Sequence, residues 1–298
     1  MQDGISASVP APDALDRLWL VGCGAMGGAL LGRWLEAGLA ADRVTIIDPA
    51  PRGPVPEGVR SFSTFGEASV LAPLPTAVVL AVKPQQLREV ASSLQPALVE
   101  SPLLITMLAG VRSATIGALF PGARVARIMP NTPAGIGKGI TVAHGPALDQ
   151  ADADAVAFLC RAAGDMLWME EEARFDAVTA LSGSGPAYLF RFIEALAGAG
   201  EAAGLDSQSA MVLARATVGG AAALALETDA PVATLRQQVT SAGGTTEAGL
   251  DVLDGDGALS ALMRATVRAA AERSRMLAAQ AESLVQQADP AAREAASA

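Results

Sequence analysis

The chain is poor in the groups that most enzymes use for proton chemistry. Its 298 residues include one histidine, His144, and only two lysines, Lys83 and Lys138. A mechanism that needs a lysine anywhere after Lys138, or a histidine after His144, is excluded by inventory. Cysteine is equally scarce. Cys23 and Cys160 stand in neither a metal-ligand nor a redox spacing, which fits a reducing cytoplasm and gives no metal site. Positive charge is outweighed, for a net charge of −10, and a field of that sign repels nucleic acids and anionic membranes. No uninterrupted apolar run reaches the roughly 18 residues of a membrane span. The opening MQDGISASVPAPDALD has neither a basic n-region nor an apolar h-region, so no signal peptide is expected, and residues 1–16 read as a disordered N-terminal extension.

What is present is hydrophobic and well patterned. Apolar residues make up 51% and charged ones 17%, the balance of a globular protein long enough for two modest domains. Up to about residue 170, short apolar strands alternate with helical segments, which predicts a doubly wound, Rossmann-like α/β domain over 17–170. AVVLAV, at 77–82, is the clearest of its buried strands. Beyond Glu170 the strand signals stop and alanine- and leucine-rich helical stretches take over, predicting an all-α domain over 171–279. Helices so rich in small apolar residues suit packing against a second subunit. Residues 280–298 read as a frayed tail.

Gly22-Cys23-Gly24-Ala25-Met26-Gly27 matches G-x-G-x-x-G between a strand and a helix, in a βαβ unit that ends at Asp48. Gly22 permits the tight turn, Gly24 lets the backbone approach a pyrophosphate, and Gly27 lets helix and strand pack closely. Ala25 and Met26 open the helix, whose free N–H groups and dipole attract phosphate. Asp48 sits where a carboxylate binds the adenosine ribose and disfavours a 2′-phosphate, while Arg52 and Arg60 lie close enough in sequence to reverse that preference. Lys83, after the third strand candidate, is placed to reach cofactor ribose or phosphate. Asn131, after the fifth, is placed either to hold the nicotinamide or simply to form a turn. His144 reads as a turn-flanking surface residue.

The helical half carries two glycine-rich breaks that lead into helices. LSGSGPAYLF, at 181–190, places Ser184 before a helix start at Pro186; VTSAGGTTEAGL, at 239–250, runs through Gly243, Gly244, Thr245 and Thr246. Backbone N–H groups and hydroxyls at a helix start suit a carboxylate.

Taken together, GCGAMGGAL, AVKP, RIMPNTPAGIGKG, LSGSGPAY and VTSAGGTTEAGLDVLD resemble the pyrroline-5-carboxylate reductase family, in order and spacing from about Leu18 to Leu277. TSAGGTT is the most specific of these segments, and the glycine turn the least. Two departures are Ala242, where many members have proline, and Asp48-Pro49, where many NADPH-preferring members lack the acid. The resemblance implies NAD(P)H as cofactor, a cyclic imine carboxylate as substrate, and a helical domain that intertwines two subunits. A homodimer is then the minimum unit, with larger rings extending to a decamer of dimers. It further implies that Thr246 hydrogen-bonds the substrate near its ring nitrogen, while amides around Gly244 and Thr245 hold the carboxylate. A cyclic imine can bind already protonated, so hydride addition needs no lysine or histidine donor. Rival readings are another imine reductase, a 3-hydroxyacid dehydrogenase-like enzyme (a class that relies on a helical-domain lysine absent here), and an NAD(P)H-sensing regulator.

Overall fold

A computed structural model describes residues 11–95, 98 and 102–286. Eight strands form one sheet: β1 (Leu18–Val21), β2 (Val44–Ile47), β3 (Arg60–Phe62), β4 (Ala77–Leu80), β5 (Leu103–Thr106), β6 (Arg124–Met129), β7 (Gly139–His144) and β8 (Gly164–Trp168). Their spatial order is 3-2-1-4-5-6-7-8. The first six are parallel, β7 runs antiparallel to β6, and β8 is parallel to β7. Helices α1 (Ala25–Glu36), α2 (Phe65–Leu71), α3 (Leu87–Leu94), α4 (Ser113–Leu119) and α5 (Gln150–Arg161) connect the strands.

Buried residues fall into two clusters that alternate along the strands. Leu18, Leu20, Val44, Ile46 and Val79 pack with Leu30, Leu31 and Trp34 of α1. Trp19, Val21, Val78 and Leu80 pack with Leu87, Val90 and Leu94 of α3. Successive side chains of a strand point to opposite faces, so strands that are apolar throughout need a helical cover on both sides. The doubly wound domain expected from the sequence is therefore the fold found. Part of the segment expected to be disordered has structure: Asp13–Leu15 form a 3-10 turn, and Leu15 is fully buried in the first cluster. That burial anchors residues 11–16; residues 1–10 lie outside the described part of the chain.

The helical half contains α6 (Phe175–Val178), a π-helical turn at Thr179–Gly183, α7 (Gly185–Ala202), α8 (Ser207–Glu227), α9 (Val232–Gln238), α10 (Thr245–Asp254) and α11 (Ala258–Gln286). The chain resolves into two compact units. One runs to Gly183 and resumes at Ala270, and the other is Ser184–Ala269. This division falls later than residue 170 for a visible reason. Phe175 and Val178 pack on Met129 and Val142 of the sheet, and the Ser274 hydroxyl donates to Asp176 at 2.6 Å. Residues 280–286, expected to fray, instead continue α11 through Gln286; residues 287–298 lie outside the described part.

The unit Ser184–Ala269 has little interior of its own. Its buried cluster is Ala197, Ala210 and Ala214, with Ile193 against them. Many large apolar side chains stand open, among them Phe190 at 62%, Leu226 at 78% and Val252 at 79% exposure. Helix α8 is long and apolar enough to cross a membrane, although no uninterrupted apolar run in the sequence suggested it.

Candidate active site

A cleft of about 780 Å³ opens at the carboxyl ends of β1, β2 and β4, the place where open α/β sheets bind ligands. Each glycine of the turn beneath it has its own physical reason. Gly22 has φ +92°, and a Cβ there would lie 2.7 Å from the Ala81 carbonyl oxygen. A Cβ on Gly27 would lie 2.3 Å from the Gly22 oxygen, which only glycine avoids. At Gly24 a Cβ would meet nothing within 4 Å. The fold itself therefore sets no size limit at Gly24, whereas a pyrophosphate approaching the backbone would. Gly24 is also the extended residue that caps α1, so Ala25 and Met26 present first-turn amides at the mouth of the cleft. This arrangement suits the pyrophosphate of a dinucleotide.

The loop after β2 grips the turn from both sides of Cys23. Asp48 Oδ2 accepts from the Cys23 amide at 2.6 Å, and Asp48 Oδ1 accepts from the Ala50 amide at 2.8 Å. The Arg52 amide donates to the Cys23 carbonyl at 2.8 Å. Cys23 is itself buried, and burial together with the adjacent Asp48 carboxylate raises its thiol pKa. The Arg52 side chain is exposed. Arg60 does not belong to this site: it pairs with Thr45 in the sheet and hydrogen-bonds the Asp42 carbonyl, away from the carboxyl end of β2. Lys83 lines the cleft, with its amide held by Gln86 at 3.2 Å.

Ser63, Thr64 and Phe65 also line the cleft, and sequence reasoning passed over them. The strand that delivers them, β3, is only three residues long and has no apolar alternation. A signal was present in Thr64-Phe65-Gly66-Glu67. It forms a capping box in which the Glu67 amide donates to Thr64 Oγ1 and the Thr64 amide donates to Glu67, both at 3.2 Å.

Asn131 and His144 are both held by hydrogen bonds within the fold. Asn131 is buried; its Oδ1 accepts from the Ile140 amide at 3.0 Å and its Nδ2 donates to the Ser182 carbonyl at 3.2 Å. The amide thus ties β7 to the π-helical turn and leaves one Nδ2 hydrogen for a ligand. His144 is buried rather than on the surface, with Nδ1 2.9 Å from the Met169 carbonyl and its ring edge-on to Phe175. Arg127 Cζ lies 4.5 Å over that same Phe175 ring. The buried Arg127 guanidinium pairs with Glu172 at 2.9 Å, and Glu172 also accepts from the Ser113 amide at 2.7 Å. Burial pushes the Glu172 carboxyl pKa up, but the Ser113 amide and Arg127 outweigh it and leave the pKa below its ordinary value.

In the helical unit, Ser184 precedes α7 without capping it through its side chain, and Pro186 occupies the first turn. The second break is a tight turn into α10. Gly243 has φ +67°, its amide donates to Glu247 Oε2 at 2.6 Å, and the Gly244 amide donates to the Ser241 carbonyl at 3.0 Å. The amides of Gly243 and Gly244 are therefore used within the turn. Those of Thr245, Thr246 and Glu247 open the helix and have no intrahelical acceptor. A carboxylate bound here would meet amides one position later than expected. The Thr246 side chain is exposed beside them.

Similarities to known proteins cover both parts of the chain. The family described as pyrroline-5-carboxylate reductase dimerisation matches residues 172–277, and the family described as NADP oxidoreductase, coenzyme F420-dependent, matches residues 17–110. A pyrroline-5-carboxylate reductase of Pseudomonas aeruginosa is 36% identical over 268 residues, 89% of this chain and 97% of the relative. The solved structure of a pyrroline-5-carboxylate reductase from Coxiella burnetii aligns at TM-score 0.80 with 33% identity, over 88% of this chain and 98% of that one. A Plasmodium falciparum pyrroline carboxylate reductase solved with NADP bound aligns at TM-score 0.76 with 27% identity, again over 88% and 98%.

Proposed function

The chain belongs to the pyrroline-5-carboxylate reductase family, and on that premise we propose that it reduces 1-pyrroline-5-carboxylate to L-proline. The substrate is a small cyclic imine carboxylate and the reductant is a nicotinamide dinucleotide. When bound, that cofactor supplies a hydride from nicotinamide C4. The hydride adds to the imine carbon, the π pair of the C=N bond moves onto nitrogen, and the cofactor is oxidised. A nitrogen that arrives protonated becomes a neutral secondary amine without a further acid.

One observation carries this reading. A dinucleotide turn left open at Gly24 shares a chain with a hydroxyl-rich helix start in a unit that holds neither lysine nor histidine. Carbonyl reduction creates an alkoxide and needs a positioned proton donor, whereas reduction of a protonated imine does not. The residues then supply orientation and electrostatics. The first amides of α10 hold the carboxylate, the Thr246 hydroxyl hydrogen-bonds the ring nitrogen, and Ser184 contributes a second hydroxyl. At the cofactor, Gly22, Gly24, Ala25, Met26 and Gly27 receive the pyrophosphate, with Lys83 and Asp48 at its flanks.

The protein works as an oligomer. The apolar side chains left open on α7, α8 and α11 are those a second copy would cover, so the minimum unit is a homodimer and rings of dimers are the larger form. We place it in the cytoplasm, with no nucleic-acid or membrane partner. The test is the fall in absorbance at 340 nm when 1-pyrroline-5-carboxylate is added to the full chain with NADH or NADPH. Saturable oxidation is expected, and no turnover with either cofactor would sink the reading.

A further inference from the structure

We propose that Asp48 sets cofactor choice in this chain, and that the carboxylate selects the dinucleotide without a 2′-phosphate, so NADH is the working reductant. The inference deepens the reductase reading and rests on it for the identity of the cofactor. Asp48 follows the last residue of β2, at the edge of the cleft where the adenosine ribose binds in a sheet of this order. Swinging it aside to admit a phosphate would break two hydrogen bonds. Its two oxygens hold the Cys23 amide at 2.6 Å and the Ala50 amide at 2.8 Å, and moving it would strip an acceptor from a buried glycine turn. Each oxygen keeps a second lone pair, so the clamped carboxylate can still accept from ribose hydroxyls.

The surroundings give a 2′-phosphate little compensation. On the β2–β3 side the cleft is walled by Pro49, Ser63, Thr64 and Phe65, which carry no charge. Among the described lining residues the one cation is Lys83, which follows β4, two strand positions away from β2. Neighbouring strands lie about 4.8 Å apart, so Lys83 is separated from Asp48 by roughly 10 Å of sheet width. Glu89 adds a further negative charge to the lining. Arg60, the other nearby cation in sequence, is bonded to the Asp42 carbonyl. Arg52 is exposed and four residues beyond Asp48 in the same loop, so a test must include it.

Titration calorimetry with ADP-ribose and 2′-phospho-ADP-ribose isolates the adenosine end, because neither probe carries a nicotinamide or turns over. In 0.15 M salt, ADP-ribose is expected to bind the wild-type chain at least about tenfold more tightly. Asp48→Asn keeps an acceptor for the Cys23 amide and removes the charge. It should narrow the ratio about tenfold, mainly by strengthening the phosphorylated probe. Arg52→Ala should leave the ratio within about twofold. Tighter binding of the phosphorylated probe to wild type, an unchanged ratio in Asp48→Asn, or binding of neither probe would each overturn the proposal. Failure of the reductase reading looks different: ADP-ribose would bind with the expected preference, while 1-pyrroline-5-carboxylate would give no turnover.

Discussion

The two units of this chain solve the same problem in opposite ways. The α/β unit hides its apolar residues within itself: β1, β2, β4 and β5 are buried along their whole length and covered by helices on both faces. The unit Ser184–Ala269 encloses three alanines and leaves Phe190, Leu226, Leu262 and Val252 open. Apolar burial is the main favourable term in folding, so the first unit can account for its own stability and the second cannot. The helical unit is half of a core. Its sequence says so in advance, since helices apolar on more than one face have nothing to bury against in a single copy.

The largest effect should come from placing a charge on that open face. Phe190→Glu would cost well under 1 kcal/mol if the residue stayed exposed. If a second copy covers it, sedimentation should show dissociation, and turnover should fall at least about tenfold. Retained oligomer and activity would remove α7 from the interface. The same variant sharpens the contrast between units through the thiols, because Cys23 and Cys160 are both buried in the α/β unit. Burial lifts the Cys160 thiol up to about 12, so at pH 8 neither the wild type nor Phe190→Glu should label quickly. Rapid labelling in the variant would mean that the α/β unit depends on the dimer too.

The next effect breaks the α/β unit from inside. Gly27→Ala forces a Cβ onto the Gly22 oxygen and should lower both the melting temperature and cofactor affinity. Gly24→Ala meets nothing in the fold and should weaken cofactor binding alone. Equal thermal losses in the two would contradict the assignment of Gly24 to the ligand.

Glu172→Gln leaves the buried Arg127 without its counter-ion and should cost about 3 kcal/mol at pH 7. The folded pKa of Glu172 lies below its unfolded value, so its stabilisation is complete above the unfolded value and disappears as pH falls through the folded one. The gap in melting temperature between wild type and variant should therefore narrow as pH falls below the ordinary carboxylate range and close once Glu172 is protonated in the folded state. A gap that persists there would assign the loss to packing.

The smallest structural change, Thr246→Ala, should lower turnover roughly tenfold or more while leaving cofactor affinity within about twofold. Equal losses would take Thr246 out of the substrate site.

Much of this architecture was legible because buried parallel strands have an unmistakable pattern: β4 at Ala77–Leu80 falls inside the AVVLAV run at 77–82. Strand β3 was not legible, since three half-exposed residues carry no period. The reversed direction of β7 was invisible as well, because alternation is the same in either direction. At the site, the glycines could be assigned one by one, since each answers a local steric demand. The partners of Asn131, His144 and Arg127, and the Cys23 amide that Asp48 accepts from, lie between 9 and 51 residues away, and no local pattern encodes them. The same holds for the Gly243 amide: Glu247 is near in sequence, but its return to the turn depends on the left-handed φ of Gly243.

The reductase assignment is tested most directly by following the hydride itself. The full chain would be incubated with 1-pyrroline-5-carboxylate and cofactor deuterated at the transferred position of C4, and the proline formed would be read by mass spectrometry and NMR. One deuterium per proline, on the ring carbon that was the imine carbon, is the predicted result. Absence of deuterated proline with both NADH- and NADPH-derived label would contradict it.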